Sequence, residues 1–237
     1  MGPVSARTAP RRAIAPRRRN PAGLIVGTLL LGLGLGLLGW FGYQYVGTSI
    51  VAKQDFQQTT AQLQDEWSNL PSSKVDLSQQ SGQVDKDGNV VRVPGDALGL
   101  MRIPAWGDSW VTPIYDGTDP GVLARGLGWY ESTVGPGQVG NFSVAGHSVT
   151  HGEPFRRLMD LPSGSTVEVE TVDKVYTYVI DSSTVVKDTD TWVLDPVPGK
   201  TDEQPTQELI TLTTCQDFFH SPDRYIAFGH LVSTKIK

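Results

Sequence analysis

Three residue types in the second half of this chain could together perform covalent chemistry on an acyl group. Cys215 is the only cysteine among 237 residues, so it has no intramolecular disulfide partner. A thiolate attacks an acyl carbon, a histidine such as His147 supplies the proton that a leaving amine needs, and a guanidinium such as Arg224 stabilises the oxyanion. The residues alone leave plainer interpretations open: a small buried cysteine, a hydrogen-bonded loop histidine, and an arginine paired with Asp217 or Asp223.

Each of the three residues stands at the end of a predicted strand. Cys215 closes the run Leu209–Thr214, His147 follows Asn141–Ala145, and Arg224 begins a final strand. Strand ends suit catalysis, because a rigid sheet holds the side chains while the adjoining loops form the substrate groove.

The sequence after about Leu98 predicts a β-rich domain. Short runs rich in Val, Ile, Thr and Tyr recur between Gly, Pro, Asp and Ser, and two of them alternate apolar and polar residues as half-buried strands do. Many short strands over ~140 residues favour one β-barrel or β-sandwich domain. Short helices are expected near 121–127 and 154–158. The predicted strands are 100–103, 141–145, 166–170, 176–181, 208–214 and 225–232.

The N-terminal region predicts a membrane anchor. Residues 24–46 contain no charged residue and are long enough to cross ~30 Å of hydrocarbon as a helix. Residues 1–23 hold six arginines and no acidic residue, so the positive-inside rule keeps this tail in the cytoplasm and puts the C-terminal domain outside the cell. A cleaved signal peptide is the alternative, but its apolar core would be shorter and a small-residue cleavage site would follow.

Residues 47–97 are predicted to hold a juxtamembrane helix and a linker. Phe56, Leu63 and Trp67 lie on one helical stripe that ends at Pro71. Further on, 85–89 resembles part of a calcium loop, but its glycine comes too early and no glutamate closes it, so a hairpin turn is favoured. The catalytic domain is then 98–237.

Charge and spacing exclude several functions. All 25 Asp and Glu follow the basic tail, and an acidic domain is a poor partner for nucleic acid. No histidine has a ligand spacing typical of a metal site, so neither a metal nor another cofactor is expected. His151, His220 and His230 compete with His147 for the acid or base role.

Several motifs in the predicted domain resemble those of sortases. Thr211-Leu212-Thr213-Thr214-Cys215 matches their T-L-x-T-C signature, Arg224 follows at the expected interval, and Val144-Ala145-Gly146-His147 matches the segment that carries their histidine. The longer stretch 140–155 looks most like class E sortases of actinobacteria. The resemblance covers about 98–232 and implies a closed β-barrel of about eight strands with short helices.

The resemblance also implies roles for individual residues. Cys215 would attack the Thr–Gly bond of a C-terminal sorting signal, His147 would act as general acid and then base, and Arg224 would bind the signal backbone and the oxyanion. Thr214, Tyr130 and Ala145 are expected to contribute to substrate binding, with Tyr130 as the tyrosine implicated in the class E preference for L-A-x-T-G over L-P-x-T-G.

Sortases transfer the acyl group to an amine of the peptidoglycan precursor, so the expected partners are secreted proteins with a sorting signal and that amine. Two features depart from class E: His151 stands where many relatives carry Tyr, and the segment 216–223 is more acidic and aromatic. An inactive sortase-like binding module and a hydrolytic cysteine protease are the alternatives.

Overall fold

A computed structural model describes residues 21–69, 97–215 and 222–237, together with the backbone of two short strands at 83–84 and 90–91. The chain divides into two compact units, residues 1–41 and 42–237. Predictions for the tail 1–20 and for most of the segments 70–96 and 216–221 fall outside the described residues.

The first unit contains helix α1, Pro21–Gly42, whose sequence is almost wholly apolar and which buries none of its side chains. Exposure of such an apolar surface to water is unfavourable. The helix is long enough and apolar enough to cross a membrane. The structure thus contains the long apolar N-terminal helix that the sequence predicts.

The second unit begins with a π-helical turn, Tyr43–Gly47, and helix α2, Thr48–Asn69. Helix α2 buries Ala52, Phe56 and Leu63, spaced four and seven residues apart, so one face is apolar. This face packs on the barrel: the Tyr115 hydroxyl lies 3.2 Å from Thr59 Oγ1, and the Lys237 ammonium lies 4.5 Å from the Trp67 ring centroid. The helix is therefore part of the folded domain.

The described strands are β1 Gln83–Val84, β2 Val90–Val91, β3 Ala97–Arg102, β4 Val111–Asp116, β5 Leu127–Trp129, β6 Gly140–Ala145, β7 Thr166–Glu170, β8 Lys174–Lys187, β9 Glu208–Cys215 and β10 Asp223–Ile236. Eight of them close a mixed β-barrel in the order β10-β8-β7-β3-β4-β5-β6-β9, as the resemblance predicts. Two pairs in the barrel are parallel, β4 with β5 and β6 with β9, and the other pairs are antiparallel. A separate antiparallel pair, β1 with β2, flanks 85–89, where a hairpin turn is expected from the sequence.

The barrel interior is filled by the inward side chains of successive strands. Phe142 and Val144 of β6 and Ile210 and Leu212 of β9 are almost fully buried in one cluster. Burying each such side chain contributes about 1.5–3 kcal/mol. Because the pattern alternates, the other residues of β6 and β9 project from the outer face of the barrel.

A second, smaller apolar cluster covers part of that outer face. The 3₁₀ helix Thr191–Leu194, between β8 and β9, packs Val193 on Val186 and Ile226. Asn141 holds this connection by donating hydrogen bonds to the carbonyls of Val193 (3.0 Å) and Asp195 (3.1 Å). The connection between β8 and β9 thus covers the outer face of the barrel beside the end of β9.

Strands β4 and β5 were not predicted from the sequence. Pro113 interrupts the β4 pattern, and β5 has three residues, two of them apolar and one a glycine, which is too short for a periodic signal. The helices expected near 121–127 and 154–158 are shorter, Pro120–Leu123 and a 3₁₀ turn at Leu158–Asp160.

Gly229 offers a test of the barrel packing. It lies at a register shift of β10, and a Cβ there would lie 2.3 Å from the Val179 carbonyl oxygen of β8. Gly229→Ala is therefore expected to lower the free energy of unfolding by roughly 1–3 kcal/mol, because backbone must move. Gly135→Ala is the control, since its nearest new contact would be 3.6 Å away, and should change stability by less than about 0.5 kcal/mol. Equal urea midpoints for the two variants would contradict the close packing at Gly229.

Candidate active site

His147 and Cys215 lie at the carboxyl ends of two neighbouring parallel strands: His147 follows the end of β6 by two residues, and Cys215 is the last residue of β9. In the β6–β9 ladder Ala145 pairs with Thr213, and the Gly146 amide extends it by donating to the Thr213 carbonyl at 3.1 Å. Each reactive residue follows its paired residue by two positions. Because neighbouring strands are about 4.8 Å apart, the two residues emerge side by side at one edge of the barrel.

Arg224 joins them from the other side of β9. The antiparallel β9–β10 ladder pairs Arg224 directly with Cys215, so their side chains project from the same face. That face is the outer one, since Ile210 and Leu212 point inward and Cys215 is an odd number of residues from both. Cys215 is partly exposed there, as a nucleophile that meets a substrate must be.

Thr214 links the cysteine strand to the histidine strand. Its side chain is 3% exposed, and its hydroxyl donates a 2.7 Å hydrogen bond to the Gly146 carbonyl. Gly146 immediately precedes His147, so this bond fixes the backbone of one reactive residue to that of the other. The hydroxyl is thereby engaged inside the protein, and a role for Thr214 in substrate binding stays a prediction.

His147 is a neutral imidazole at neutral pH. Burial is the main cause that lowers its pKa to about 4, and the nearby charge of His151 acts in the same direction. The two rings lie 5.1 Å apart between centroids and are tilted by 30°. A neutral imidazole beside a thiol can accept the thiol proton, which produces the thiolate where it is needed.

Arg224 is held at its own position by two acceptors. Its guanidinium donates to the Asp223 carbonyl at 3.2 Å and lies 3.7 Å from the Asp188 carboxylate. Asp188 follows β8, in the ladder that pairs Lys187 with Asp223. Both contacts leave the arginine charged beside the cysteine, where it can stabilise an oxyanion.

Tyr130 reaches the same face from β5. Its amide donates to the Ser143 carbonyl, and its hydroxyl lies 3.1 Å from Thr213 Oγ1, two residues before Cys215. Because β6 lies between β5 and β9, the tyrosine side chain crosses β6 near Ser143 and Ala145. Tyr130 thus contacts the strand that carries the cysteine, and Ala145 is the β6 residue paired with Thr213. The contribution of both residues to substrate binding stays a prediction.

The competing histidines differ in position. His230 pairs with Asp181 at 2.8 Å, six residues along β10 from Arg224 and therefore ~20 Å away. His220 lies outside the described residues. His151 is the histidine that the structure places next to His147. Across residues 21–69, 97–215 and 222–237, no three His, Cys, Asp or Glu side chains are grouped as metal ligands.

Two contacts of this site were not predicted from the sequence. Asp188 is distant in sequence from Arg224, and only the long β8–β10 pairing brings it near. His151 was expected only as a competitor, and its contact with His147 depends on the loop conformation: His151 and Glu153 both have positive φ, at 52° and 54°. No periodic pattern encodes such a loop.

The low pKa of His147 predicts a pH-dependent stability. The folded pKa of about 4 lies below the ordinary 6.5, so the unfolded state binds more protons between these values and stability falls as pH drops from 6.5 to 4. The histidine accounts for up to ~3 kcal/mol of this fall. His147→Gln should flatten the decline in unfolding free energy measured from urea titrations at pH 7, 5.5 and 4. Parallel declines for the two proteins would refute the buried neutral state.

Comparisons with known proteins agree with this geometry. The sortase domain family matches residues 101–232. Sortase E1 of Streptomyces coelicolor is 32% identical over 98% of this chain, which spans 64% of that relative's length. Sortase E2 of the same organism is 27% identical over 92% of this chain and 87% of its own length.

Solved structures of sortases share the fold. Sortase E from Streptomyces avermitilis is 39% identical, with a TM-score of 0.56 over 61% of this chain and 93% of that chain. The crystal structure of sortase E1 from Streptomyces coelicolor with a tripeptide in its active site is 35% identical, with a TM-score of 0.56 over 62% of this chain and 94% of that one. The chain therefore belongs to the sortase family of cysteine transpeptidases.

Proposed function

We propose that this protein is a membrane-anchored transpeptidase that cleaves a C-terminal sorting signal between Thr and Gly through a thioester and transfers the threonine acyl group to a peptidoglycan amine. The observation that carries the proposal is the register of β9. It pairs Cys215 with Arg224 on one side and brings it beside His147 on the other. These three groups supply a nucleophile, an oxyanion ligand and a proton carrier.

The first half-reaction forms a thioester. The neutral His147 imidazole takes the Cys215 proton, and the thiolate attacks the threonine carbonyl carbon of the signal. Arg224 stabilises the negative charge that develops on the carbonyl oxygen. When the tetrahedral intermediate collapses, the C–N bond breaks and the imidazolium returns its proton to the leaving glycine nitrogen.

The second half-reaction reverses these roles. The neutral imidazole takes a proton from the incoming amine, whose nitrogen attacks the thioester carbonyl. The C–S bond breaks, an amide bond forms, and the thiolate leaves and is reprotonated by the imidazolium. Water in place of the amine gives hydrolysis, so the acceptor decides between transfer and loss of the acyl group.

The low pKa of His147 sets its protonation state before the reaction. The resting imidazole is neutral, which is the form that accepts a proton in both half-reactions. A thiolate formed beside it favours the imidazolium by direct charge attraction.

The apolar helix α1 supports attachment to the membrane. The arginine cluster before it favours a cytoplasmic N-terminus, which places the catalytic domain outside, where sorting signals and peptidoglycan amines are found. The contact of Tyr130 with Thr213 supports a role for that tyrosine in reading the signal, which is expected to be L-A-x-T-G-like or L-P-x-T-G-like.

Replacement of the cysteine tests the nucleophile. Cys215→Ala is expected to reduce cleavage of fluorogenic L-A-x-T-G and L-P-x-T-G peptides by the full-length chain in detergent to background, because no other group forms the thioester. Mass spectrometry with an added amine should show a transfer product for the wild type. Hydrolysis alone at saturating amine would favour a cysteine protease, and a Cys215 inert to thiol-reactive probes would favour a binding module.

Replacement of the arginine tests the oxyanion ligand. Arg224→Ala should lower kcat/KM by ~10²–10³, since a single oxyanion donor contributes about that factor. Arg102→Ala is the matched control, because that side chain is similarly exposed and also ion-paired, to Glu170, but lies across the barrel on β3. Similar rates for both variants would remove Arg224 from the mechanism.

A further inference from the structure

Helix α2 contacts the loop that carries the catalytic histidine. A Cβ built on Gly152 would lie 2.7 Å and 2.8 Å from two ring carbons of Phe56, and 3.4 Å from the Ala52 Cβ. Phe56 and Ala52 are 6% and 3% exposed. The helix therefore presses its apolar face directly on the backbone of Gly152, where only a glycine fits.

The loop in question, residues 147–155, has an unusual backbone and is named here the histidine loop. Three successive residues, His151, Gly152 and Glu153, have φ values of 52°, 82° and 54°. Side chains with a Cβ disfavour this left-handed region, so a run of three does not persist unless the surroundings hold it. The helix contact falls on the middle residue of this run.

Contacts within the histidine loop couple the position of Gly152 to that of His147. The Phe155 amide donates to the His147 carbonyl at 3.0 Å, and the Glu153 amide donates to the Thr150 carbonyl at 3.0 Å. The His151 ring, next to Gly152, lies against the His147 ring. A shift of Gly152 must therefore move His151, and with it one side of the enclosure around His147.

The loop is held between two apolar anchors. On the barrel side Phe155 is fully buried in the main core and meets the Trp106 ring edge-on. On the opposite side, Gly152 meets Phe56 and Ala52 of helix α2. Truncating Phe56 removes one anchor and leaves the other in place.

We propose that Phe56 is a positioning residue for the transpeptidation reaction, and that helix α2 belongs to the catalytic unit by holding the histidine loop, and thus His147, in its reactive position. This inference rests on the proposed function, in which His147 carries the proton. Helix α2, next to the membrane anchor, thus takes part in the chemistry, although its polar, glutamine-rich sequence does not indicate such a role.

A purely structural role for Phe56 is the competing explanation, and Leu63 provides the matched control. Leu63 is buried on the same face of α2, seven residues and ~10 Å further along its axis, away from Gly152. The Thr59 and Trp67 contacts keep the helix docked in either variant. Leu63→Ala should thus weaken the packing of α2 without moving the histidine loop.

The experiment compares Phe56→Ala, Phe56→Leu and Leu63→Ala with the wild type in the full-length chain. Phe56→Ala should lower kcat for peptide cleavage ~10-fold or more with less than about 2-fold change in KM, because misplacing a reacting group by a fraction of an ångström affects the chemical step. Phe56→Leu, which keeps an apolar anchor, should restore most of the rate. Leu63→Ala should keep kcat within about 2-fold while lowering the melting temperature comparably.

A second readout needs no turnover. The pKa of His147, followed by NMR of labelled histidine and assigned with His147→Gln, should rise toward 6.5 in Phe56→Ala, because water enters its enclosure. The charged and titratable groups around the histidine loop remain in every variant, so such a rise reports hydration and not a lost charge. They are His151 and Glu153 in the loop, Arg156 directly after it, Cys215 and Arg224 at the strand ends, and Lys53 and Asp55, the charged residues of α2 nearest to Phe56 in sequence.

The outcomes separate the two proposals. Unchanged kcat and an unchanged His147 pKa in Phe56→Ala would overturn the positioning role, as would equal loss of rate in Leu63→Ala. Absence of cleavage by the wild type would instead count against the proposed function, and the pKa readout would still decide whether Phe56 holds the loop.

Discussion

The site depends on the register of β9 between its two neighbours. The parallel ladder with β6 pairs Thr213 with Ala145, and the antiparallel ladder with β10 pairs Cys215 with Arg224. A slip of one residue in either ladder would turn Cys215 into the barrel interior and break the opposition with Arg224, because side chains alternate between faces. The inward residues Ile210 and Leu212 are fully buried, so the packing of the core fixes the register that the chemistry requires.

Around this frame, neighbouring groups refine the position and the charge of each reactive residue. The Thr214 hydroxyl joins β9 to the backbone before His147, Asp188 lies beside the Arg224 guanidinium, and Tyr130 spans β6 to reach Thr213. Burial lowers the pKa of His147 and keeps its imidazole neutral at neutral pH. Because the His147 imidazole is buried, its environment depends on the residues that pack on the histidine loop.

Helix α2 extends the domain beyond the barrel. Its apolar face, with Ala52, Phe56 and Leu63, is a small stripe on an otherwise polar helix, and its contact with Gly152 concerns a loop whose backbone needs support. Helix α2 thus does more than connect the apolar helix to the barrel, since it packs on the loop that carries His147.

The sequence by itself indicated the family and the general architecture, and it proposed the residues that carry the chemistry. A single cysteine at the end of an apolar run, the Val144–His147 segment and Arg224 predict the candidate reactive groups, because motifs of this kind are local. Short strand-like runs predict most of the barrel strands. Only the tertiary structure decided what surrounds these groups. Asp188 meets Arg224 through a pairing of distant strands, His151 meets His147 through a loop in a rare backbone conformation, and Phe56 meets Gly152 across almost a hundred residues of chain. The Asp188–Arg224 and Phe56–Gly152 contacts join positions that are distant in sequence, so they exist only once the strands have paired and helix α2 has packed. The His151–His147 contact exists only once the histidine loop has adopted its left-handed backbone.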